Sequence, residues 1–211
     1  MDACQDDLSN PFSMDEACTN CAALADAREC IVHGYGDVGA EFLFVGESPS
    51  SGAEDEGVPF VGDDAGRRLQ RILGELGFSR SSPSATEPDL QNVYLTYAAR
   101  CRHPDRQAAD SEIRACEPFL NAEIRMINPE ILVPIGQRTL EALAIDYTTR
   151  SPSAFDVDEQ HATTIRGRGF ELLPMVDLER QTDAQTQAFV EHVRENVFSR
   201  DYRQTKGRRS R

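Results

Sequence analysis

Four cysteines and one glycine-rich stretch carry the side chains with chemistry to offer. Cys18-Thr19-Asn20-Cys21 is a CxxC pair, and Cys101 and Cys116 form a second, wider pair. In a reducing compartment a CxxC is either a redox dithiol or half of a metal site. Thioredoxin-like dithiols follow the first strand, whereas this pair precedes it, which favours metal. Four thiolates suit either zinc or an iron–sulfur cluster, and spacing alone does not separate the two. Cys30 is expected to be a buried small hydrophobe, and Cys4 a free thiol. The glycine-rich stretch is residues 41–66, EFLFVGESPSSGAEDEGVPFVGDDAG. Gly46 and Gly57 allow the backbone to approach a ligand closely, and Glu47 puts a carboxylate at the end of an apolar run. Phe60, between Pro59 and Val61, is an aromatic where a loop seldom exposes one. No GxGxxG or GKS/T is present to cradle a nucleotide phosphate. The four histidines, His33, His103, His161 and His192, read as surface or structural residues, with His161 the one to follow.

These residues need elements to hold them. Phe42-Leu43-Phe44-Val45 is a short apolar run of the kind found in buried parallel strands. Leu69, Ile72, Leu73 and Leu76, at spacings of three and four, predict a helix over 64–76. Residues 79–90 are polar and read as surface loop. A second strand is expected at 93–97, running directly into Cys101. A helix follows over 111–126, with Ser111 as its N-cap and Ile113, Cys116, Leu120, Ile124 and Ile127 along one face. A third strand at 131–135, a short helix around 139–143, an irregular stretch at 145–168, a fourth strand at 170–176 and a last helix over 182–197 complete the chain. Four strand–helix alternations predict an α/β fold, a three-layer α/β/α arrangement around a central four-stranded parallel sheet. Ligands bind outside the carboxyl ends of such strands, which puts the loop after residue 46 at the site. The expected organisation is a loose acidic leader (1–17), one domain (18–198) and a basic tail (199–211).

The 211 residues carry a formal charge of −14, with 36 acidic residues and a pI near 4.7. Lysine occurs once, at Lys206, so nearly all the basic residues are arginine. An acidic, lysine-poor surface suits a protein working in concentrated salt, where charges are screened within a few ångströms; an ordinary acidic cytosolic protein is the alternative. At high salt, net charge does not argue against a nucleic-acid partner. The tail Lys206-Gly207-Arg208-Arg209-Ser210-Arg211 is basic. Neither a signal peptide nor a membrane span is visible, so a cytoplasmic location is expected, with the six cysteines binding metal or free rather than paired.

Taken together, GESPSS…GVPFVG, VYLTYAARC, the segment Ala115-Cys116-Glu117-Pro118-Phe119-Leu120 and INPEILVPIGQRTLEAL resemble the iron–sulfur uracil-DNA glycosylases of bacteria and archaea. The resemblance runs from about Cys18 to Leu143 and more weakly to Arg180. With the composition, it points to a haloarchaeal member. It implies a 4Fe-4S cluster on Cys18, Cys21, Cys101 and Cys116, with zinc the less favoured occupant. It also implies a monomer acting on single- or double-stranded DNA with the damaged base flipped out. In that family the aromatic of PFVG stacks on the base, here Phe60. The acidic residue beside the first strand positions water, here Glu47, and loop amides near Ser48 and Ser50 approach the uracil carbonyls.

Two positions depart from the family pattern. Tyr97 stands where the family has an asparagine that reads the uracil edge, and a phenol lacks the paired donor and acceptor of an amide. Asp177 stands where the family has the histidine of a His-Pro pair, with Leu178 in place of proline. An ionised aspartate repels the anion developing on a departing base, whereas a protonated one donates to it. The readings are therefore a glycosylase for uracil or another deaminated base, a catalytically weakened relative that binds DNA, and, outside the family, a zinc-stabilised nucleotide-binding module.

Overall fold

The computed structural model describes residues 8–199. Cys4, the start of the expected leader and the basic tail from residue 200 lie outside the described residues. The central strands form where the sequence has its apolar runs: β2 (Phe42–Gly46), β3 (Val93–Tyr97) and β4 (Ile131–Pro134) are buried along their whole lengths. A short strand β6 (Glu171–Leu172) pairs with β4, and its ladder is prolonged by Leu173 donating to the Leu132 carbonyl and Met175 to Pro134. The order β3-β2-β4-β6 is parallel throughout, giving the expected four-stranded core. Two strands of two residues each, β1 (Tyr35–Gly36) and β5 (Ile165–Arg166), add antiparallel edges and make the sheet six-stranded and mixed.

Alternation along the strands divides the core. Phe42 and Phe44 face one side with Leu95 and Val133, while Leu43 and Val45 face the other with Tyr94 and Leu132. The first side is covered by α3 (Asp64–Glu75), through Leu69, Ile72 and Leu73, and by α7 (Asp183–His192), through Phe189 and Val190. The second side is covered by α4 (Asp110–Ile127), through Leu120 and Ile124, and by α5 (Gln137–Tyr147), through Leu140 and Leu143. Helix, sheet and helix thus form three layers.

Several local expectations are corrected. Helix α4 begins before Ser111, because the Glu112 carboxylate turns back to accept from the Ala109 N–H at 2.7 Å, doing the work assigned to a serine cap. The stretch 51–56, expected as loop, is a short helix α2 (Ser51–Glu56), with the Ser50 hydroxyl accepting from the Ala53 N–H at 3.2 Å. The helix after β4 runs to Tyr147, and the expected irregular stretch contains α6 (Val157–Gln160) as well as β5. Packing also reaches further toward the N-terminus than Cys18. Phe12 and Met14 are buried in the α4–α5 side of the core, Phe12 against the Tyr94 ring at 5.9 Å. A short helix α1 (Ala22–Ala27) follows the CxxC. Among the described residues no helix is long and apolar enough to cross a membrane.

Candidate active site

The carboxyl ends of the parallel strands open into a cleft of about 720 Å³ lined by Gly46, Glu47, Ser48, Ser50, Phe60, Tyr97 and Asp177, among others. Every base-site residue expected from sequence is therefore brought to one cavity. Its floor requires glycine: a Cβ on Gly46 would lie 2.7 Å from Cζ of Phe60 and 2.9 Å from the Tyr97 ring. Beside it the PFVG loop crosses α2, where Gly52 and Gly62 touch so closely that a Cβ on either would lie 2.6 Å from the other's backbone.

Phe60 adopts the left-handed conformation (φ 57°), uncommon for a non-glycine residue. What holds it there is Tyr97. The Phe60 N–H donates to the Tyr97 hydroxyl oxygen at 3.0 Å, and the two rings lie 4.7 Å apart, tilted by 34°. Gln70 Nε2 donates to the Phe60 carbonyl at 3.4 Å. Phe60 is 7 % exposed and Tyr97 3 %, so the pair is packed rather than displayed. Burial drives the Tyr97 pKa well up and keeps the phenol neutral. Tyr97 thus serves Phe60 with both its hydroxyl and its ring, a relation that residues 37 positions apart in sequence do not announce.

Glu47 is half-buried. Its partner was not anticipated: the Arg138 guanidinium, from the first turn of α5, bonds Glu47 Oε1 with one nitrogen and Asp110 Oδ1 at 2.7 Å with the other. Burial raises the Glu47 pKa most, Arg138 opposes it, and the nearby carboxylates of Asp177 and Asp110 push the same way as burial. A sequence signal for Arg138 existed. An arginine in the first turn of a helix faces the positive end of the helix dipole, an unfavourable place unless a carboxylate compensates. Asp177 is exposed, accepts from the Glu179 N–H at 2.9 Å, and is followed by Leu178, which is buried in the core. The cleft mouth carries Arg68, Arg102 and Arg106, each ion-paired within the chain, to Asp183 and Glu54 at 3.4 Å and to Glu112 at 2.7 Å.

His161 is spent on the backbone, with Nδ1 accepting from the Val176 N–H at 3.2 Å and Nε2 2.8 Å from the Gln185 carbonyl. His103 lines the cleft but accepts from the Asp105 N–H.

The four cysteines meet at the other end of the Tyr97–Cys101 segment. Cys101 and Cys116 are buried, Cys18 and Cys21 half-buried, and all four are free thiols. Cys18 and Cys116 each raise the pKa of Cys21 and of Cys101, and Cys18 also raises that of Cys116. Burial is the larger cause, pushing Cys101 up to about 11. Arg28, which the sequence did not single out, ties the two pairs together, donating to Cys101 Sγ at 3.5 Å and to the Cys18 carbonyl at 2.7 Å. Among the described residues no three His, Cys, Asp or Glu side chains close around a point that fits one metal ion. Four thiols gathered from three segments have the donor set of a larger group, one thiolate for each corner. Cys30 stands apart; it is half-buried rather than buried, and its thiol donates to the Glu54 carbonyl at 3.0 Å.

Comparison with known proteins agrees with this architecture. The family model described as the uracil DNA glycosylase superfamily matches residues 33–194. The type-4 uracil-DNA glycosylase of Saccharolobus solfataricus is 36% identical over 128 residues, 60% of this chain and 54% of that protein. The type-5 enzyme of Thermus thermophilus is 36% identical over 124 residues, 56% of each chain. The type-4 enzyme of Thermotoga maritima is 35% identical over 124 residues, 58% of each. The matched part spans a little over half the length of these curated relatives. On the match across residues 33–194, the chain belongs to the uracil-DNA glycosylase superfamily.

Proposed function

We propose that this protein is a DNA glycosylase that hydrolyses the N-glycosidic bond of uracil or another deaminated base in DNA. The observation that carries the reading is the convergence of Glu47, the Ser48–Ser50 loop, Phe60 and Asp177 in one cleft at the carboxyl ends of β2, β3 and β6. A base within a duplex cannot reach such a cleft, so it must be flipped out, with the arginines at the mouth near the phosphates. Glu47, ion-paired and held in place by Arg138, orients the water that attacks the sugar. The amides around Ser48 and Ser50 meet the base carbonyls, where charge develops as the bond breaks. Asp177 serves this step only when protonated, as a donor. The cysteines hold a 4Fe-4S cluster, with zinc the less favoured occupant; when bound, it ties α1 to the segment after β3 and takes no part in hydrolysis. The protein works as a cytoplasmic monomer, in one domain that takes in Phe12 and Met14 ahead of Cys18 and runs to about 198.

A second reading rests on a specific contact. Tyr97 packs its ring on Phe60 and accepts from its amide, so the face on which a base would stack is already covered in part. Together with Asp177, this favours a catalytically weakened relative that binds DNA. Anaerobically prepared protein is assayed on single- and double-stranded oligonucleotides carrying uracil, hypoxanthine or xanthine, scoring alkali-labile abasic sites. Excision of any of the three supports the enzyme, and no abasic sites on all of them removes it. In the weakened relative, Tyr97→Asn with Asp177→His brings uracil excision up by about 10²-fold or more, since one oxyanion contact is worth about 10²–10³ in rate. No gain from that pair would show that the cleft has diverged beyond these two residues.

A further inference from the structure

A chain of buried polar groups behind β3 ends at a nitrogen that hydrolysis does not use. Tyr94 and Thr96 both donate to Glu123, from Oη to Oε1 at 2.9 Å and from Oγ1 to Oε2 at 2.8 Å. Glu123 is ion-paired at 2.8 Å with Arg100, and both side chains are buried. The other terminal nitrogen of Arg100, Nη1, lies 3.2 Å from His33 Nδ1, and its guanidinium sits 5.2 Å over the Phe119 ring. A guanidinium can only donate. His33 Nδ1 must therefore accept, and carries no hydrogen. With Nδ1 accepting from a guanidinium, the ring is the neutral imidazole. A neutral imidazole has one N–H, and here it can only be at Nε2. That nitrogen is buried and has no hydrogen-bond partner among the described residues. His33 also lines a small pocket whose other walls include Cys18, Cys101, Cys116 and Phe119. The Val32 N–H donates to the Arg100 carbonyl at 2.9 Å, keeping this segment alongside the Cys101 loop.

We propose that the His33 Nε2–H donates a hydrogen bond to a sulfur of the group held by Cys18, Cys21, Cys101 and Cys116, with Arg100 and Glu123 fixing its tautomer and orientation. The inference rests on reading those cysteines as the ligands of an iron–sulfur cluster. The pocket wall also holds Asp15, but among the described residues neither it nor any other acceptor bonds this nitrogen, and the facing sulfurs of Cys18, Cys101 and Cys116 offer a natural acceptor in thiolate or sulfide. Hydrogen bonds to the sulfurs draw off negative charge, favour the reduced state and raise the reduction potential. His33 is thus a tuning residue that touches the cluster, while Arg100 is a positioning residue acting through it.

The test uses the full chain, prepared anaerobically as wild type, His33→Phe and His33→Gln. Iron and acid-labile sulfide are measured first, then the reduction potential, then the resonance Raman iron–sulfur stretching bands in H₂O and D₂O. Phenylalanine keeps the volume but removes the donor. Glutamine can accept from Arg100 and donate in turn, so it keeps the inference testable if phenylalanine unsettles the fold. The expected result is a full iron complement, a shift of the His33→Phe potential to more negative values with loss of part of the D₂O sensitivity, and partial recovery of both in His33→Gln. An unchanged potential and D₂O response in an iron-replete His33→Phe overturns the role of His33 and leaves the cluster standing. A wild-type protein that takes up no iron overturns the cluster, and this inference with it.

Discussion

Replacing Glu123 by glutamine asks what the buried ion pair contributes. The change keeps the shape of the side chain and removes its charge. Arg100, 2 % exposed, is left with a buried cation and no water to replace the lost partner. Tyr94 and Thr96 donate to different oxygens of Glu123, so one of them must now face an amide NH₂ instead of an acceptor. Breaking a buried pair from one side costs about 3–5 kcal/mol, and stranding one hydroxyl adds about 1 kcal/mol. Against this stands the burial of the carboxylate itself, the largest influence on Glu123, which raises its pKa and whose cost the amide relieves. The net loss works out at about 3 kcal/mol, a large share of the roughly 5–15 kcal/mol that holds a domain together. At about 2–4 °C per kcal/mol for a chain of this size, the Tm falls by roughly 6–12 °C. Urea unfolding followed by circular dichroism measures the free energy, and calorimetry the Tm. Arg100→Met in the Glu123→Gln background completes a double-mutant cycle, in which the double variant is less harmed than the sum of the singles. A Glu123→Gln loss below about 1 kcal/mol, within the range of an ordinary surface change, would refute the assignment of Arg100 as a cation dependent on this carboxylate.

Two further outcomes follow from local geometry. Gly52→Ala puts a methyl 2.6 Å from the Gly62 backbone and forces α2 away from the PFVG loop; urea unfolding should show a loss of about 1–3 kcal/mol, the usual cost of overpacking. Glu112 is held down at about 2, from its ordinary 4.5, chiefly by the bonds from Arg106. Its stabilising contribution is present above pH 4.5 and is lost as the pH falls toward 2, because the unfolded carboxyl binds its proton first. Glu112→Gln is therefore less stable than wild type at pH 7, and urea unfolding at stepped pH should show the two converging in acid.

What the sequence revealed depended on how local the cause was. Phe42–Gly46, Val93–Tyr97 and Ile131–Pro134 are visible because a buried parallel strand must be apolar on both faces. The edge strands Tyr35–Gly36 and Ile165–Arg166 are two residues long, too short for any periodicity to register. Helix α2, Ser-Gly-Ala-Glu-Asp-Glu, lacks an apolar stripe and is set by the Ser50 cap and the Gly52–Gly62 contact. The four cysteines and Phe60 could be picked out by type and motif. Their partners are remote: Arg28, Arg138 and the clasp of Tyr97 on Phe60 join residues 73, 91 and 37 positions apart, and of these only Arg138, a cation in the first turn of a helix, left a local signal. Tyr97 is the clearest case. As a substitution for an amide it looked like a lost contact, whereas in the fold its hydroxyl and ring are committed to the loop it faces.

β3 and its continuation behave as a single rod with a fitting at each end. Tyr94 and Thr96 on one side are bolted to Glu123, and through it to Arg100 and the cysteines, while Tyr97 on the other side clasps Phe60. From Tyr97 to Cys101 is only a few residues of continuous backbone, with Ala98 and Ala99 secured to the Gly46 and Glu47 carbonyls at 2.8 Å. A sideways slip of this rod cannot be absorbed at one end without being felt at the other. The cysteine cage and the base cleft are therefore not separable modules. Altered clefts grafted into this chain must be chosen with the rod and both its fittings in place, and an exchange of the cysteine region for another stabilising device must first reproduce the position of Arg100.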